Sequence, residues 1–89
     1  MVDSALIEKV RNVLITSYFN DAGDFVDVSE GPADDIHIVI VSRKFDAQPA
    51  SRRLKQDLIW SVLVQKLPPE DWGRVSLTVG TSPEEVKAF

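Results

Sequence analysis

The chain contains no cysteine, one histidine and one methionine among its 89 residues. The absence of cysteine excludes disulfide bonds and thiolate metal ligands. A transition-metal site usually needs several imidazole or thiolate ligands, so a single histidine argues against a site built by this chain alone. We therefore expect no metal and no cofactor, and a fold that depends on its packed core.

Long apolar runs are also missing. No segment approaches the roughly 20 apolar residues that cross a bilayer, and the first residues carry acids where a signal peptide would be apolar. These absences predict a cytoplasmic protein without a membrane partner. A composition of 44% hydrophobic and 27% charged residues is typical of globular proteins, and the length predicts one domain over residues 1–89.

Residue constellations that carry catalysis are not evident. The four glycines are scattered at positions 23, 31, 73 and 80, so there is no glycine-rich phosphate loop. His37 lies in a strand-like run, where a lone histidine is more often structural than a catalytic base. The acids between residues 21 and 35 lack the spacing of a calcium loop. We predict that the protein is not an enzyme.

Two neighbouring segments of the chain differ in charge. Residues 12–42 contain six acids and no lysine or arginine, whereas residues 43–55 are mainly basic. The basic residues are Arg43, Lys44, Arg52, Arg53 and Lys55. The reversal fits two solvated loops of opposite sign, or a basic face for an acidic partner. The net charge of −4 argues against nucleic acid as the main partner.

The most hydrophobic stretch is residues 37–67. Ile36–Val41 is apolar at nearly every position, which predicts a strand with both faces at least partly covered. A loop over residues 42–50 follows, in which Phe45 is interpreted as packing under the next helix. That helix is predicted from residue 51 or 52 to 67. Trp60 widens its apolar arc, and its ring belongs either to the core or to a partner surface.

The remaining elements complete an α-β-β-α-β-α order. We predict a helix from residue 3 or 4 to 19 with a stripe ending at Tyr18, a strand over 24–29, a helical or plain turn over 70–73, and a final helix ending at Phe89. A strand over 74–79 alternates, which predicts Val75, Leu77 and Val79 on its buried face. The order predicts a two-layer α+β domain whose three-stranded mixed sheet has helices on one face and a right-handed crossover between its parallel strands.

The central stretch resembles the BolA family. The resemblance rests on Ile38-Val39-Ile40-Val41-Ser42 followed by Phe45, and on the basic start of the apolar helix at Arg52-Arg53. It implies the α-β-β-α-β-α fold and an adaptor function. Family members usually have a histidine beside the arginine at the start of this helix, and the chain has none there. The histidine or cysteine that ligates metal in the family's loop between the first two strands has no counterpart in Glu30–Asp35. The resemblance therefore does not imply iron–sulfur cluster binding.

These observations predict a non-enzymatic BolA-like interaction module. Its partner would be a protein bound through the basic residues, with Phe45 or Trp60 as an anchor. One alternative is a KH-like nucleic-acid-binding domain, although the G-x-x-G loop of KH modules is absent. The other is a self-associating structural subunit, such as a homodimer formed through the apolar helix.

Overall fold

The computed structural model describes residues 4–47 and 52–83 of the chain. The helices in these ranges are α1 (Ser4–Ser17), α2 (Arg52–Lys66) and α3 (Pro69–Trp72), with a 3-10 helix at Arg43–Ala47. The strands are β1 (Phe25–Glu30), β2 (Ile36–Val41) and β3 (Val75–Thr81). The predicted final helix falls on residues 84–89, outside the described ranges. None of the described helices has the length and apolarity that a membrane span requires.

The three strands form one mixed sheet in the order β1-β2-β3. β1 pairs with β2 in antiparallel orientation, and β2 pairs with β3 in parallel. Asp34 in the short β1–β2 connection has a φ of 58°, a left-handed conformation that aspartate tolerates better than most residues. A parallel pair needs a long crossover, and α2 lies within it. The predicted α+β class with a three-stranded mixed sheet is confirmed.

The central strand β2 divides the molecule into a covered side and an open side. Ile36, Ile38 and Ile40 are fully buried, whereas the alternate residues are only partly covered. Each fully buried isoleucine contributes roughly 1.5–3 kcal/mol through removal of apolar surface from water. α1 packs against β1 and α2 against β3, and both helices contribute to the core that covers the isoleucines.

The apolar stripe of α1 does not end at Tyr18, as the sequence predicts. Val10 and Leu14 are fully buried, as their spacing predicts, but Tyr18 is exposed. The helix ends at Ser17, and the backbone N–H of Phe19 donates to the carbonyl oxygen of Leu14 at 2.9 Å. The chain therefore leaves helical geometry before Phe19, and this ring occupies the core instead of Tyr18.

The predicted alternation of β3 is wrong because the strand contains a bulge. Ile36 is opposite Val75, but His37 is opposite Leu77, so Ser76 is an extra residue. An extra residue reverses the faces of all positions that follow it. Val75 remains in the core, whereas Leu77 is exposed and Thr78 is buried in its place.

The segment predicted as a loop after β2 contains a 3-10 helix, and this places Phe45 in the core. The ring is fully buried and packs at 5.7 Å from the ring of Phe19. Its other neighbour is the backbone of Gly80, where a Cβ atom would lie 2.8 Å from the Cζ atom of Phe45. Glycine at this position of β3 therefore allows the aromatic ring to approach the sheet.

α3 contacts both long helices, α1 and α2, at one end of the domain. The turn predicted near residues 70–73 is this single helical turn. Lys9 in α1 forms an ion pair with Asp71 in α3. Trp60 in α2 and Trp72 in α3 contact each other edge to face, with ring centroids 6.3 Å apart. Trp60 is half-buried against the core, so its contacts stabilise the junction of α2 and α3.

Candidate interaction surface

The acidic and basic segments of the sequence meet around Lys44. Its ammonium lies 2.9 Å from the Oδ2 atom of Asp21 and 3.3 Å from the Oδ2 atom of Asp24. The Ser42 hydroxyl donates to the Oδ1 atom of Asp24 at 2.7 Å. The hydrogen bond to Asp21 is the main cause that raises the pKa of Lys44 above its usual value, while partial desolvation opposes it. The cation is therefore held by two carboxylates.

Arg43 lies beside the same acidic loop. Its exposed side chain lines a cleft of about 610 Å³ together with Asp21, Asp24 and Pro83. Arg43 thus shares a cleft with two acids and Lys44 is paired with them, and the role of both residues in a basic partner-binding face stays a prediction. The two loops of opposite sign are therefore in contact at Lys44, whose charge is paired with the acidic segment.

The other residues predicted to contact a partner have different environments. Phe45 is fully buried, so the prediction that it anchors a partner is wrong for this conformation. Trp60 is half-buried and contacts Trp72. Arg52, Arg53 and Lys55 lie in the first turn of α2. The side chains of those three residues lie outside the described part of the structure, so their predicted contacts with a partner stay a prediction.

The open face of the sheet exposes a group of apolar side chains, of which Leu77 and Val79 were predicted on the buried face of β3. Phe25, Leu77 and Val79 are 56%, 42% and 40% exposed. Val39 and Val41, between them on β2, are half-buried. Val39 is opposite Val79 in the sheet register, and Val41 is opposite Phe25. We call these five residues the open face. No described helix lies against them.

A polar cluster borders the open face at the bulge. The Ser76 hydroxyl donates to the Oδ2 atom of Asp35, which also lies 3.3 Å from the Nε2 atom of His37. The hydrogen bond from Ser76 is the main cause that lowers the pKa of Asp35. At Gly31, a Cβ atom would lie 2.6 Å from the Nε2 atom of His37 and closer still to the Oδ1 atom of Asp35, so a side chain at this position would displace both groups.

The geometry of this cluster differs from that of a nucleophilic triad. In a triad the imidazole lies between the hydroxyl and the carboxylate, because it must take the proton of the hydroxyl. Here the carboxylate of Asp35 lies between Ser76 and His37. The cluster therefore orients side chains at the bulge and does not activate Ser76. Nowhere in the described ranges do three or more potential metal ligands come together.

The outer edge of β3 is accompanied by a side chain from α2. The Nε2 atom of Gln56 donates to the backbone carbonyl oxygen of Thr78 at 3.3 Å. A cavity of about 270 Å³ lies at this place, lined by Gln56 and by residues 77–80 of β3. No described strand pairs with this edge, since β3 is the last strand of the sheet. Sequence reasoning did not single out Gln56, because an isolated polar residue in a helix carries no signal of its partner.

The open face could have been found from one sequence signal only. The run Val75–Thr81 contains both a strict alternation and a glycine, and a glycine within a strand often indicates a bulge or a close backbone approach. The alternation was the stronger pattern, and it predicted the wrong face. The sequence has no feature that locates the bulge at Ser76.

Comparison with known proteins identifies no relative. No protein-family model matches the chain, and neither the curated proteins nor the solved structures include a significant match.

Proposed function

We propose that this domain is a non-enzymatic protein-interaction module and that a partner protein binds its open face. The observation that carries the proposal is the concentration of exposed apolar side chains on one side of the sheet. Of the five large apolar residues that are exposed in the described ranges, three lie there: Phe25, Leu77 and Val79. Single exposed apolar residues are ordinary on a protein surface, whereas a contiguous group indicates an interaction site.

The composition of the open face suits a protein partner. Its members are one aromatic and four aliphatic side chains on adjacent strands, and they offer apolar contact area without a central charge. Asp27 is exposed on the same side of β1, next to Val39 in the register. Within the described residues its carboxylate has no hydrogen bond or ion pair. An apolar centre with a charged border is the usual composition of a protein interface.

The order of elements supports a BolA-like scaffold as part of this proposal. If the short helix α3 is counted with the connection between α2 and β3, the described part of the chain has the α-β-β-α-β order that the resemblance implies, with the strand of the family-like motif at the centre of the sheet. The basic start of α2 is a second candidate surface for the same function. This surface is supported by the change from acidic to basic residues in the sequence. Because Lys44 is paired with Asp21, the basic residues that would contact a partner there are Arg52, Arg53 and Lys55.

Capture of binding proteins from a native lysate tests the proposal. We compare the wild type with Val79→Lys, which puts a charge on the open face, and with Val64→Lys on the exposed side of α2. Val64 and Val79 are both exposed valines, at 52% and 40%, so the two variants are closely matched. A third variant, Arg52→Glu/Arg53→Glu/Lys55→Glu, tests the basic start of α2.

The open face predicts that proteins bound by the wild type are lost with Val79→Lys and retained with Val64→Lys. If the bound proteins are retained by Val79→Lys and lost with the triple variant, the partner binds the basic start of α2 and not the open face. If nucleic acid is retained by the wild type, and released by salt, the domain belongs to the class of nucleic-acid-binding proteins instead. Circular dichroism of all variants checks that each remains folded.

A further inference from the structure

The outer edge of β3 offers backbone groups for strand pairing. The carbonyl oxygen of Thr81 accepts from Ser42, so Thr81 directs its backbone groups toward β2. Backbone groups alternate in direction along a strand. The backbone N–H and C=O groups of Val79 therefore also point toward β2, whereas those of Thr78 and Gly80 point outward, away from the sheet. The contact of the Thr78 carbonyl with Gln56 confirms this direction for Thr78.

The two edges of the sheet differ in charge. β1, at one edge, carries Asp27 and Glu30, and charged side chains are a common protection against unwanted strand pairing. β3, at the other edge, has the sequence VSLTVGT and contains no charge and no proline. It also exposes Leu77 and Val79. An edge of this length without such protection is a template for another strand.

Gln56 contacts a backbone carbonyl group with which an added strand would pair. Its side-chain amide donates to the Thr78 carbonyl as the backbone N–H of a neighbouring strand would. The side chain is partly exposed, and a backbone amide that replaced its amide would keep the hydrogen bond. The adjoining cavity of about 270 Å³ gives room on the helix side of the edge for side chains of an incoming segment.

We propose that β3 binds an extended, uncharged segment of the partner protein as a fourth strand. This inference rests on the proposed function and specifies how the partner binds. Backbone groups of the segment pair with Thr78 and Gly80 and displace Gln56. Alternate side chains of the segment enter the cavity beside Gln56, and those between them extend the open face next to Leu77 and Val79.

A second copy of the chain fits this edge less well than a separate segment. The residues of β3 that face the helix layer near the cavity are Thr78 and Gly80. In a second copy of the chain, Thr78 would be buried in the core of that copy, and Gly80 would lie against Phe45 of the same copy. A paired copy of β3 would therefore bring no side chain that could fill the cavity. A segment with medium-sized apolar side chains would fill it.

A display library of random linear peptides, about the length of β3, tests the inference with the full-length chain as bait. The variant Gln56→Arg keeps a donor for Thr78 but fills the cavity with a long charged side chain. Its control is Gln65→Arg, the same substitution at an exposed position of α2. We expect enrichment of uncharged peptides rich in β-forming residues. They should bind the wild type and Gln65→Arg equally, and Gln56→Arg at least about tenfold more weakly.

Synthetic versions of the enriched peptides test the backbone pairing without altering the protein. N-methylation of alternate residues removes the N–H groups along one edge of an extended peptide. We expect methylation of one alternate set to weaken binding about tenfold, and methylation of the other set to have little effect, because only one edge faces β3. Amide hydrogen exchange of the bound protein should slow at Thr78 and Gly80.

Several results would overturn the inference. These are a library that yields no enriched peptide, peptides that bind Gln56→Arg as well as the wild type, or affinity that is insensitive to N-methylation. A dimer in sedimentation that dissociates in Gln56→Arg would assign the edge to a second copy. If lysate proteins are lost with Val79→Lys but kept with Gln56→Arg, strand addition fails while the proposed function stands. If Val79→Lys keeps them, the assignment of the partner to the open face fails.

Discussion

Gly80 and Phe45 are in direct contact, and the backbone of β3 at Gly80 forms one wall of the pocket that holds the aromatic ring. A Cβ atom on Gly80 would lie 2.8 Å from Cζ and 3.0 Å from Cε1 of Phe45. These distances are shorter than normal van der Waals separations, and the ring is fully buried and cannot move into solvent. The 3-10 helix after β2 and the far end of β3 are therefore held together at this point.

We expect Gly80→Ala to destabilise the domain by about 1–3 kcal/mol, because the added methyl group overpacks a filled core. Urea unfolding measures the change in free energy. Gly23→Ala is the control, since a Cβ atom at Gly23 meets no atom within 4 Å, and it should be nearly neutral. Partial recovery in Gly80→Ala/Phe45→Leu would demonstrate that the two residues are coupled. Equal stability of both alanine variants would contradict the contact.

The bulge at Ser76 predicts that Leu77 contributes less than Leu63 to the free energy of unfolding. Leu77→Ala should cost less than about 1 kcal/mol, because its side chain is exposed, whereas Leu63→Ala should cost about 2–5 kcal/mol in the filled core. The simple alternation of β3 would place Leu77 in the core and predict similar losses for both. Thermal or urea unfolding of the two variants decides between the two registers.

Asp24 joins the start of β1 to the end of β2. Its side chain is 3% exposed, and it accepts hydrogen bonds from Ser42 and Lys44. We expect Asp24→Ala to cost about 1–3 kcal/mol, because the fully buried Ser42 hydroxyl loses its carboxylate acceptor. Asp27→Ala removes an exposed acid and should change the free energy of unfolding by less than about 0.5 kcal/mol. Indistinguishable unfolding midpoints would show that the network does not stabilise the fold.

We expect Asp35 to make the stability of the domain depend on pH in the acid range. Its pKa is lowered below 3.8, mainly by the hydrogen bond from Ser76, with a smaller contribution from the charge of His37. A lowered pKa in the folded state means that this stabilisation is present above pH 3.8 and is lost as the pH falls through the lowered value. Ser76→Ala should therefore lose stability at pH 6 and differ little from the wild type at the lowest pH.

Unfolding of the wild type, Ser76→Ala and Ser29→Ala at a series of acid pH values measures this effect. Ser29 is an exposed serine on β1, and its variant should follow the pH dependence of the wild type. In parallel, NMR titration should show the pKa of Asp35 rising toward its ordinary value in Ser76→Ala. A constant difference between wild type and Ser76→Ala at all pH values would mean that Ser76 acts independently of the Asp35 charge.

The sequence by itself determined the order of the strands and long helices within the described ranges, and the position of the central strand. The bounds of β2 were predicted as Ile36–Val41 and are confirmed, because a run of apolar residues between a turn and a polar loop has few alternatives. The antiparallel and parallel pairings followed from the lengths of the connections between strands. These features depend on local composition and on chain geometry, both of which the sequence contains.

The tertiary structure decided which side chains are available for binding. The bulge at Ser76 arises where β3 pairs with β2, and it turns Leu77 and Val79 to the open face. Lys44 is engaged by acids that lie about twenty residues earlier in the chain. Gln56 reaches an edge carbonyl in another element. Each of these contacts joins residues far apart in sequence, so local periodicity could not predict them and only the folded arrangement of β2, β3 and α2 determines them.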